Sequence, residues 1–231
     1  MTPAPQRLVL FDIDATLIHC GPQVRPIFSA ALEEVFGTGG EMEGYSFAGK
    51  TDPQIVSELM TAAGFESAEI LARIPRVRDC YLANLEAGLD RSAMQLLPGV
   101  VDLLQQLAAR GDVALGLLTG NWEPGGRIKL GRYDLNGFFA FGAFGDEQFD
   151  RLRLPEVAIA SAAAATGRSF TPDQTLLVAD SLLDVECARR SGVPILAVAT
   201  GMATADELAA AGADTVIPDL TATHLYEHLL S

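Results

Sequence analysis

Leu8-Val9-Leu10-Phe11-Asp12-Ile13-Asp14-Ala15-Thr16 reads as a buried strand that runs out into two carboxylates. A short unbroken apolar run is the pattern of a strand covered on both faces. α/β sheets built from such strands present their chemistry at the strands' carboxyl ends. Side chains two apart share a face of a strand, so Asp12 and Asp14 can point into one site. Carboxylates that close ionise together only when a cation joins them; otherwise one keeps its proton. The pattern suits a carboxylate nucleophile, an acid/base partner and a bound metal ion. A strand that merely ends in a polar turn would also place Asp here, so the rest of the chain must arbitrate.

Downstream of Pro98 the pattern alternates helix and strand. Val100, Leu103, Leu104 and Leu107 keep helical spacing up to the stop at Gly111. Strands are expected at 113–118, 138–144, 175–179 and 194–199, with helices at 124–133, 155–165 and 183–191. The tail, 204–230, reads as helix, short strand, helix. Strands separated by helices predict an α/β fold, a doubly wound parallel sheet of Rossmann-like type. Residues 18–95 break the rhythm and read as all-helical: 24–36, 53–63, and 67–87 with a break near Pro75. Asp52 before Pro53 is the expected N-cap of the second of these helices. The expected organisation is therefore a core of residues 1–17 and 96–231 with a helical cap, 18–95, inserted beside the two carboxylates.

Composition narrows the class. The 231 residues are 49% hydrophobic and 20% charged, enough for a sizeable core. A net charge of −14 argues against a general nucleic-acid or anionic-membrane surface. No apolar run is long enough to span a bilayer, and no signal peptide is expected before the first strand. Cys20, Cys80 and Cys187 are odd in number and follow no zinc spacing, which fits reduced thiols in a cytosolic protein.

Two more strand ends carry chemistry. Thr119-Gly120-Asn121 ends a strand and opens a helix, so a hydroxyl and free N–H groups can meet an anion there. Leu176-Leu177-Val178-Ala179 delivers Asp180 and, four residues on, Asp184; oxygen ligands of this kind suit Mg²⁺. Of 16 basic residues only Lys50 and Lys129 are lysines. A chain that otherwise uses arginine can keep lysine where a compact point charge is needed. His19, His224 and His228 read as structural or exposed.

In this order, Asp12-Ile13-Asp14-Ala15-Thr16, Thr119, Lys129 and Asp180-Ser181-Leu182-Leu183-Asp184 resemble the haloacid dehalogenase superfamily, phosphoglycolate phosphatase-like members above all. The likeness covers nearly the whole chain, including Leu97-Pro98-Gly99-Val100 and the closing Gly212-Ala213-Asp214. It implies a phosphatase acting on a small phosphorylated metabolite through an aspartyl-phosphate, with Asp12 as nucleophile and Asp14 as acid/base. It also implies Mg²⁺ held by Asp12, Asp180 and the backbone carbonyl of Asp14, with Asp184 in support. Thr119, Gly120, Asn121 and a basic residue would meet the phosphate, and Lys50 the anionic part of the substrate. Ala15 and Ala179 stand where the family commonly has glycine, and positive φ at either would be strained. The basic residue is either Lys129, which is favoured, or Arg151 in Asp150-Arg151-Leu152-Arg153-Leu154-Pro155.

Asp14 argues against a dehalogenase, which usually lacks the second aspartate. A sugar-phosphate mutase, or a phosphonate hydrolase using Lys50, shares most of the pattern. A phosphoaccepting signalling module would not need a large helical cap, and a non-catalytic binding protein would have little reason to keep Asp12, Asp14 and Asp180.

Overall fold

The structure, a computed structural model, describes residues 6–146 and 148–222. Six parallel strands form the central sheet: β1 (Arg7–Phe11), β4 (Val113–Leu118), β5 (Gly142–Ala143), β6 (Thr175–Ala179), β7 (Ile195–Val198) and β8 (Thr215–Ile217). Their spatial order is β5-β4-β1-β6-β7-β8. The chain moves from β1 to β4 on one side and returns to β6 on the other. The carboxyl end of β1 therefore lies at the switch point, where α/β sheets open a crevice.

Alternation along the strands explains the two cores. Val9, Phe11, Leu115, Leu117, Leu176, Val178, Leu196 and Val198 point to one face. There they meet Val100, Leu103, Leu104 and Leu107 of α4 (Val100–Ala109). Leu8, Leu10, Leu118, Leu177, Ile195 and Ala197 point to the other face, against α6 (Leu154–Thr166), α7 (Leu182–Ser191) and α8 (Ala205–Ala211). Burial of both faces is why these strands read as solid apolar runs.

Between β1 and α4 lie three helices, α1 (Val24–Phe36), α2 (Asp52–Ala62) and α3 (Ser67–Gly88). They are bracketed by β2 (Ile18–His19) and β3 (Gln95–Leu96), which pair antiparallel as Ile18 with Leu96 and His19 with Gln95. The inserted helices bury Phe28, Leu32, Val56, Leu59, Val77, Tyr81 and Leu85. Trp122, just ahead of α5 (Glu123–Gly131), is buried against them. Its ring stacks on Phe28 at 6.3 Å and meets Tyr81 at 5.8 Å.

Three expectations are corrected. α3 passes through Pro75 without a break. That proline faces solvent, while Ile70, Val77, Tyr81 and Leu85 hold the buried side of the helix. The run 138–144 yields only the two-residue edge strand β5; Leu135–Phe138 is a 3₁₀ turn. Phe139 and Phe141 bury their rings outside that strand, and of the two only Phe141 bonds to β4, its carbonyl accepting from the Leu117 N–H at 3.2 Å, so apolarity there marks mostly packing. Finally, Thr51 rather than Asp52 is the N-cap of α2, accepting from the Gln54 N–H at 3.3 Å. Asp52 and Pro53 fill its first two positions, which leaves the Asp52 carboxylate free for another partner. The final helix expected in the tail, with His224 and His228, lies outside the described residues.

Candidate active site

Three strand ends converge as the sequence predicts: Asp12 follows β1, Thr119 follows β4, and Asp180 follows β6. All three residues are buried. The Asp12 N–H donates to the Val178 carbonyl at 3.0 Å, tying the first strand end to the third. Thr16 donates its hydroxyl to Asp180 Oδ1 at 3.2 Å. Carboxylate oxygens of Asp12, Asp180 and Asp184 lie within 4.8 Å of one another. Burial raises Asp12 to about 6, held back by Arg151 and pushed up further by Asp184 and Asp14. Burial, with Asp12 and Asp184, also raises Asp180 well above the usual carboxylate range.

A hard, oxygen-preferring divalent cation fits this donor set, because its charge offsets the repulsion that burial amplifies. Asp184 is less free to ligate. Its Oδ1 accepts from Arg151 Nε at 2.8 Å and Nη2 at 2.5 Å. Its Oδ2 accepts from the Ser181 N–H at 3.2 Å and hydroxyl at 2.5 Å. With both oxygens engaged, Asp184 positions Arg151 and the turn after β6, while Asp12 and Asp180 face the site.

The two basic candidates occupy different places. Arg151 is fully buried and reaches Asp12 Oδ2 at 3.1 Å as well as Asp184. Lys129 places Nζ 2.6 Å from Asp14 Oδ2 and 2.7 Å from Asn121 Oδ1. The sequence favours Lys129 over Arg151 as the basic residue on the phosphate; among the described residues Arg151 is the cation against Asp12, and Lys129 faces Asp14. The 3₁₀ turn Arg151–Arg153 aims Arg151, and the Asp150 carboxylate caps it by accepting from the Leu152 N–H at 2.9 Å.

Burial alone would raise Asp14, but the Lys129 ammonium and hydrogen bonds from Lys129 and Asn121 outweigh it and hold the carboxyl below its usual value. Lys129, for its part, stays charged although burial opposes this, mainly because Asp14 faces it. The Asn121 side chain donates to Asp14 at 2.8 Å and to the Thr119 hydroxyl at 2.8 Å, so it links the second strand end to the second carboxylate.

Ala15 adopts φ +59°, the left-handed region where glycine is usual, so of the two alanines at glycine positions this is the one that carries strain. The tight turn is held by the Ala15 N–H donating to the Ile18 carbonyl at 2.8 Å and by the Thr200 hydroxyl donating to the Ala15 carbonyl at 2.6 Å. Ala179 ends β6 without positive φ and carries no such strain.

Sequence reasoning missed Asp52. Its backbone N–H donates to the Gly120 carbonyl at 2.8 Å, and its carboxylate accepts from the Trp122 N–H at 2.8 Å. Burial raises it to about 7, against the opposing pull of Lys129 and of the Trp122 N–H. Gly120 is required by close approach, since a Cβ there would overlap the Lys50 carbonyl. The inserted helices thus close directly on the phosphate-loop candidate, over a cavity of about 460 Å³ lined by Asp12, Asp14, Thr119, Lys129, Arg151 and Asp180 on one side. Lys50 lines the same cavity, but its Nζ is bonded to Glu58 at 2.5 Å and lies 4.1 Å from the Tyr45 ring centre. His19 is exposed and also lines the cavity.

A family model of haloacid dehalogenase-like hydrolases matches residues 9–198. This chain belongs to that family. The chain is 27% identical over 210 residues to a phosphoglycolate phosphatase of Synechococcus elongatus, covering 90% of this chain and 91% of that protein. Among solved structures it resembles a predicted phosphatase from Clostridium acetobutylicum, with TM-score 0.71 and 19% identity over 98% of this chain and 99% of that one. It also resembles CbbY from Rhodobacter sphaeroides in complex with phosphate, with TM-score 0.69 and 17% identity over 94% and 96% of the two chains. These structural likenesses bear on the fold, which agrees with the haloacid dehalogenase-like core of six parallel strands flanked by helices. Among the described residues, no helix is long and apolar enough to cross a membrane.

Proposed function

We propose that this haloacid dehalogenase-like hydrolase is a Mg²⁺-dependent phosphomonoesterase that works through an aspartyl-phosphate on Asp12 and acts on a small, phosphoglycolate-like metabolite. One observation carries the reading. A buried carboxylate, Asp12, faces the cavity beside a guanidinium, while a second carboxylate two residues on is held by its own ammonium. A nucleophile and an acid/base need such separate environments. We also assign residues 18–95 as the cap and residues 1–17 and 96–231 as the core.

Mg²⁺ held by Asp12, Asp180 and the backbone carbonyl of Asp14 would supply positive charge to the phosphoryl oxygens. Thr119 and the N–H groups of Gly120 and Asn121 orient those oxygens, and Arg151 adds a planar cation beside Asp12. An Asp12 oxygen bonds to phosphorus as the ester oxygen departs. Asp14 stands as a carboxylate in this network, so the proton for the leaving oxygen is relayed through it from the Lys129 ammonium that donates to it. Asp14, still a carboxylate, then removes a proton from water as the water oxygen attacks phosphorus, and passes it back to Lys129. The P–O bond to Asp12 then breaks, releasing phosphate and restoring the carboxylate. Closure of the cap keeps bulk water from the first step. The free thiols Cys20, Cys80 and Cys187 suit a reducing, cytosolic setting.

The test is hydrolysis of an aryl phosphate and of 2-phosphoglycolate with Mg²⁺. Asp12→Asn and chelation should each abolish turnover. Undiminished activity in Asp12→Asn would remove the proposed nucleophile.

A further inference from the structure

Four long cationic side chains line the cavity: Arg25, Lys50, Lys129 and Arg151. Three are already neutralised. Lys129 faces Asp14, Arg151 faces Asp12 and Asp184, and Lys50 faces Glu58. The Glu58 carboxylate that faces Lys50 also accepts from the Tyr45 hydroxyl at 2.8 Å and from the Gln54 amide at 2.7 Å, so Lys50 is held within a network of side chains.

Arg25 is different. It stands near the start of α1, half-buried, and among the described residues no carboxylate lies within ion-pair distance of it. Its Nη1 donates to the Met42 carbonyl at 3.0 Å and its Nη2 to the Tyr45 carbonyl at 2.6 Å. The Phe47 ring lies 4.7 Å from the guanidinium carbon. Those contacts fix the plane of the group without cancelling its charge. A guanidinium has five N–H donors, so about three remain beyond the two used on carbonyls. This is a pre-organised fork with spare donors, suited to a carboxylate.

The surrounding wall limits what else could sit there. Val24, Phe47, Ala48 and Ile55 line the cap side around it and offer no side-chain hydrogen bonds, and the other polar side chains of the inserted segment that share the lining are His19, Lys50 and Asp52. Lys50 and Asp52 are already bonded, to Glu58 and to the Trp122 N–H, so a polyhydroxylated ester would find few free partners there, whereas a short acid needs one cation. The carboxylates that line the cavity, Asp12, Asp14, Asp52 and Asp180, belong to the strand ends and to the seam with the core. The cavity is thus polarised, with the phosphate-handling groups at one end and an uncompensated cation on the cap.

We infer that Arg25 is the specificity-determining residue, and that it binds a carboxylate at the end of the substrate remote from the phosphate. The inference rests on the phosphomonoesterase reading and deepens it. Lys50 becomes a positioning residue that, with Glu58, fixes the cap loop.

Two matched probes test this, 2-phosphoglycolate and ethyl phosphate, which differ by a carboxylate against a methyl group. The wild-type protein should prefer 2-phosphoglycolate. Arg25→Gln should lower kcat/KM for 2-phosphoglycolate by about 10- to 100-fold, the scale of a charge-assisted hydrogen-bonded pair, mostly through KM. It should lower kcat/KM for ethyl phosphate by no more than about 3-fold, and Arg25→Lys should recover part of the lost preference. An equal loss on both esters would make Arg25 a clamp on the loop 42–47 and overturn the inference, as would a preference that survives the substitution. Calorimetric titration of Asp12→Asn, with and without Arg25→Gln, measures the same preference without turnover. If the wild-type protein hydrolyses no phosphate ester, the phosphatase reading fails; the binding preference still decides the role of Arg25.

Discussion

Replacing Arg151 with methionine removes the only cation the structure places against Asp12 among the described residues, at 3.1 Å, and the one that satisfies Asp184 Oδ1. Both pairs are buried, with side-chain exposures of 2% for Arg151, 8% for Asp12 and 0% for Asp184. At an effective dielectric constant of about 20, unit charges about 4 Å apart interact by about 4 kcal/mol. Leaving one partner of a buried pair unpaired costs about 3–5 kcal/mol. For a chain of this size, about 1 kcal/mol corresponds to roughly 2–4 °C in Tm, so metal-free Arg151→Met should melt roughly 10 °C below wild type. Loss of a cation at the reacting centre should lower kcat/KM by about 10²- to 10³-fold. The direction of the Mg²⁺ effect discriminates further. Without the guanidinium the cluster Asp12, Asp180 and Asp184 is more negative, so Mg²⁺ should half-saturate at lower concentration and raise Tm more than in wild type. Lys129→Met should also reduce kcat/KM but leave the Mg²⁺ midpoint in place, since Lys129 touches Asp14 and Asn121. The assays are Mg²⁺ titrations of turnover and of thermal unfolding. An unchanged kcat/KM in Arg151→Met, or a Mg²⁺ midpoint moved upward, would refute the reasoning.

Asp52 is raised from 3.8 to about 7. Its contribution to stability is complete below about pH 4 and is lost as pH rises through 7. The shift sets a ceiling of about 4 kcal/mol, and a measured effect of about 1–2 kcal/mol is expected after relaxation. Asp52→Asn keeps an acceptor for the Trp122 N–H, so it should gain stability over wild type at pH 8 relative to pH 5; equal differences at both pH values would disprove the buried-charge account. Ala15→Gly should stabilise by up to about 1 kcal/mol, the left-handed penalty less the extra chain entropy of glycine, and denaturant unfolding that shows a loss would contradict the strain at φ +59°. Gly120→Ala should drive a Cβ into the Lys50 carbonyl and hold the cap open; the expected result is a marked fall in kcat/KM with faster proteolysis of the loop 46–52, and normal kinetics would show that the seam yields without cost.

The strand ends were legible because burial on both faces leaves an unmistakable apolar run, and the charged residues after each run stand at known register. Asp12, Thr119 and Asp180 meet for that reason. Arg151 was less legible because its place depends on a 3₁₀ turn and the Asp150 cap, features with no period to read. Lys129 drew attention through residue choice, yet the helix that carries it points its ammonium at Asp14. Asp52 was hidden because a residue before proline satisfies the usual N-cap pattern, and only the fold reveals that Thr51 takes that task. Arg25 gave no signal at all, since its place in the argument rests on there being, among the described residues, no carboxylate within ion-pair distance of it.

Beside the rings of Trp122, Phe28 and Tyr81, the seam between cap and core has a second part in which main-chain atoms take most of the places. The Asp52 N–H meets the Gly120 carbonyl, the Trp122 N–H meets the Asp52 carboxylate, and the Thr51 hydroxyl meets the Phe149 carbonyl at 3.0 Å. Side chains lining the cavity, Arg25, Phe47 and Ile55, take no part in those three bonds. A cap exchanged between relatives should therefore dock wherever Thr51, Asp52 and Gly120 travel together as one joint. The lining could then be rebuilt for a different ester while the joint keeps its fit, so in this protein the choice of substrate and the act of closing can be altered independently.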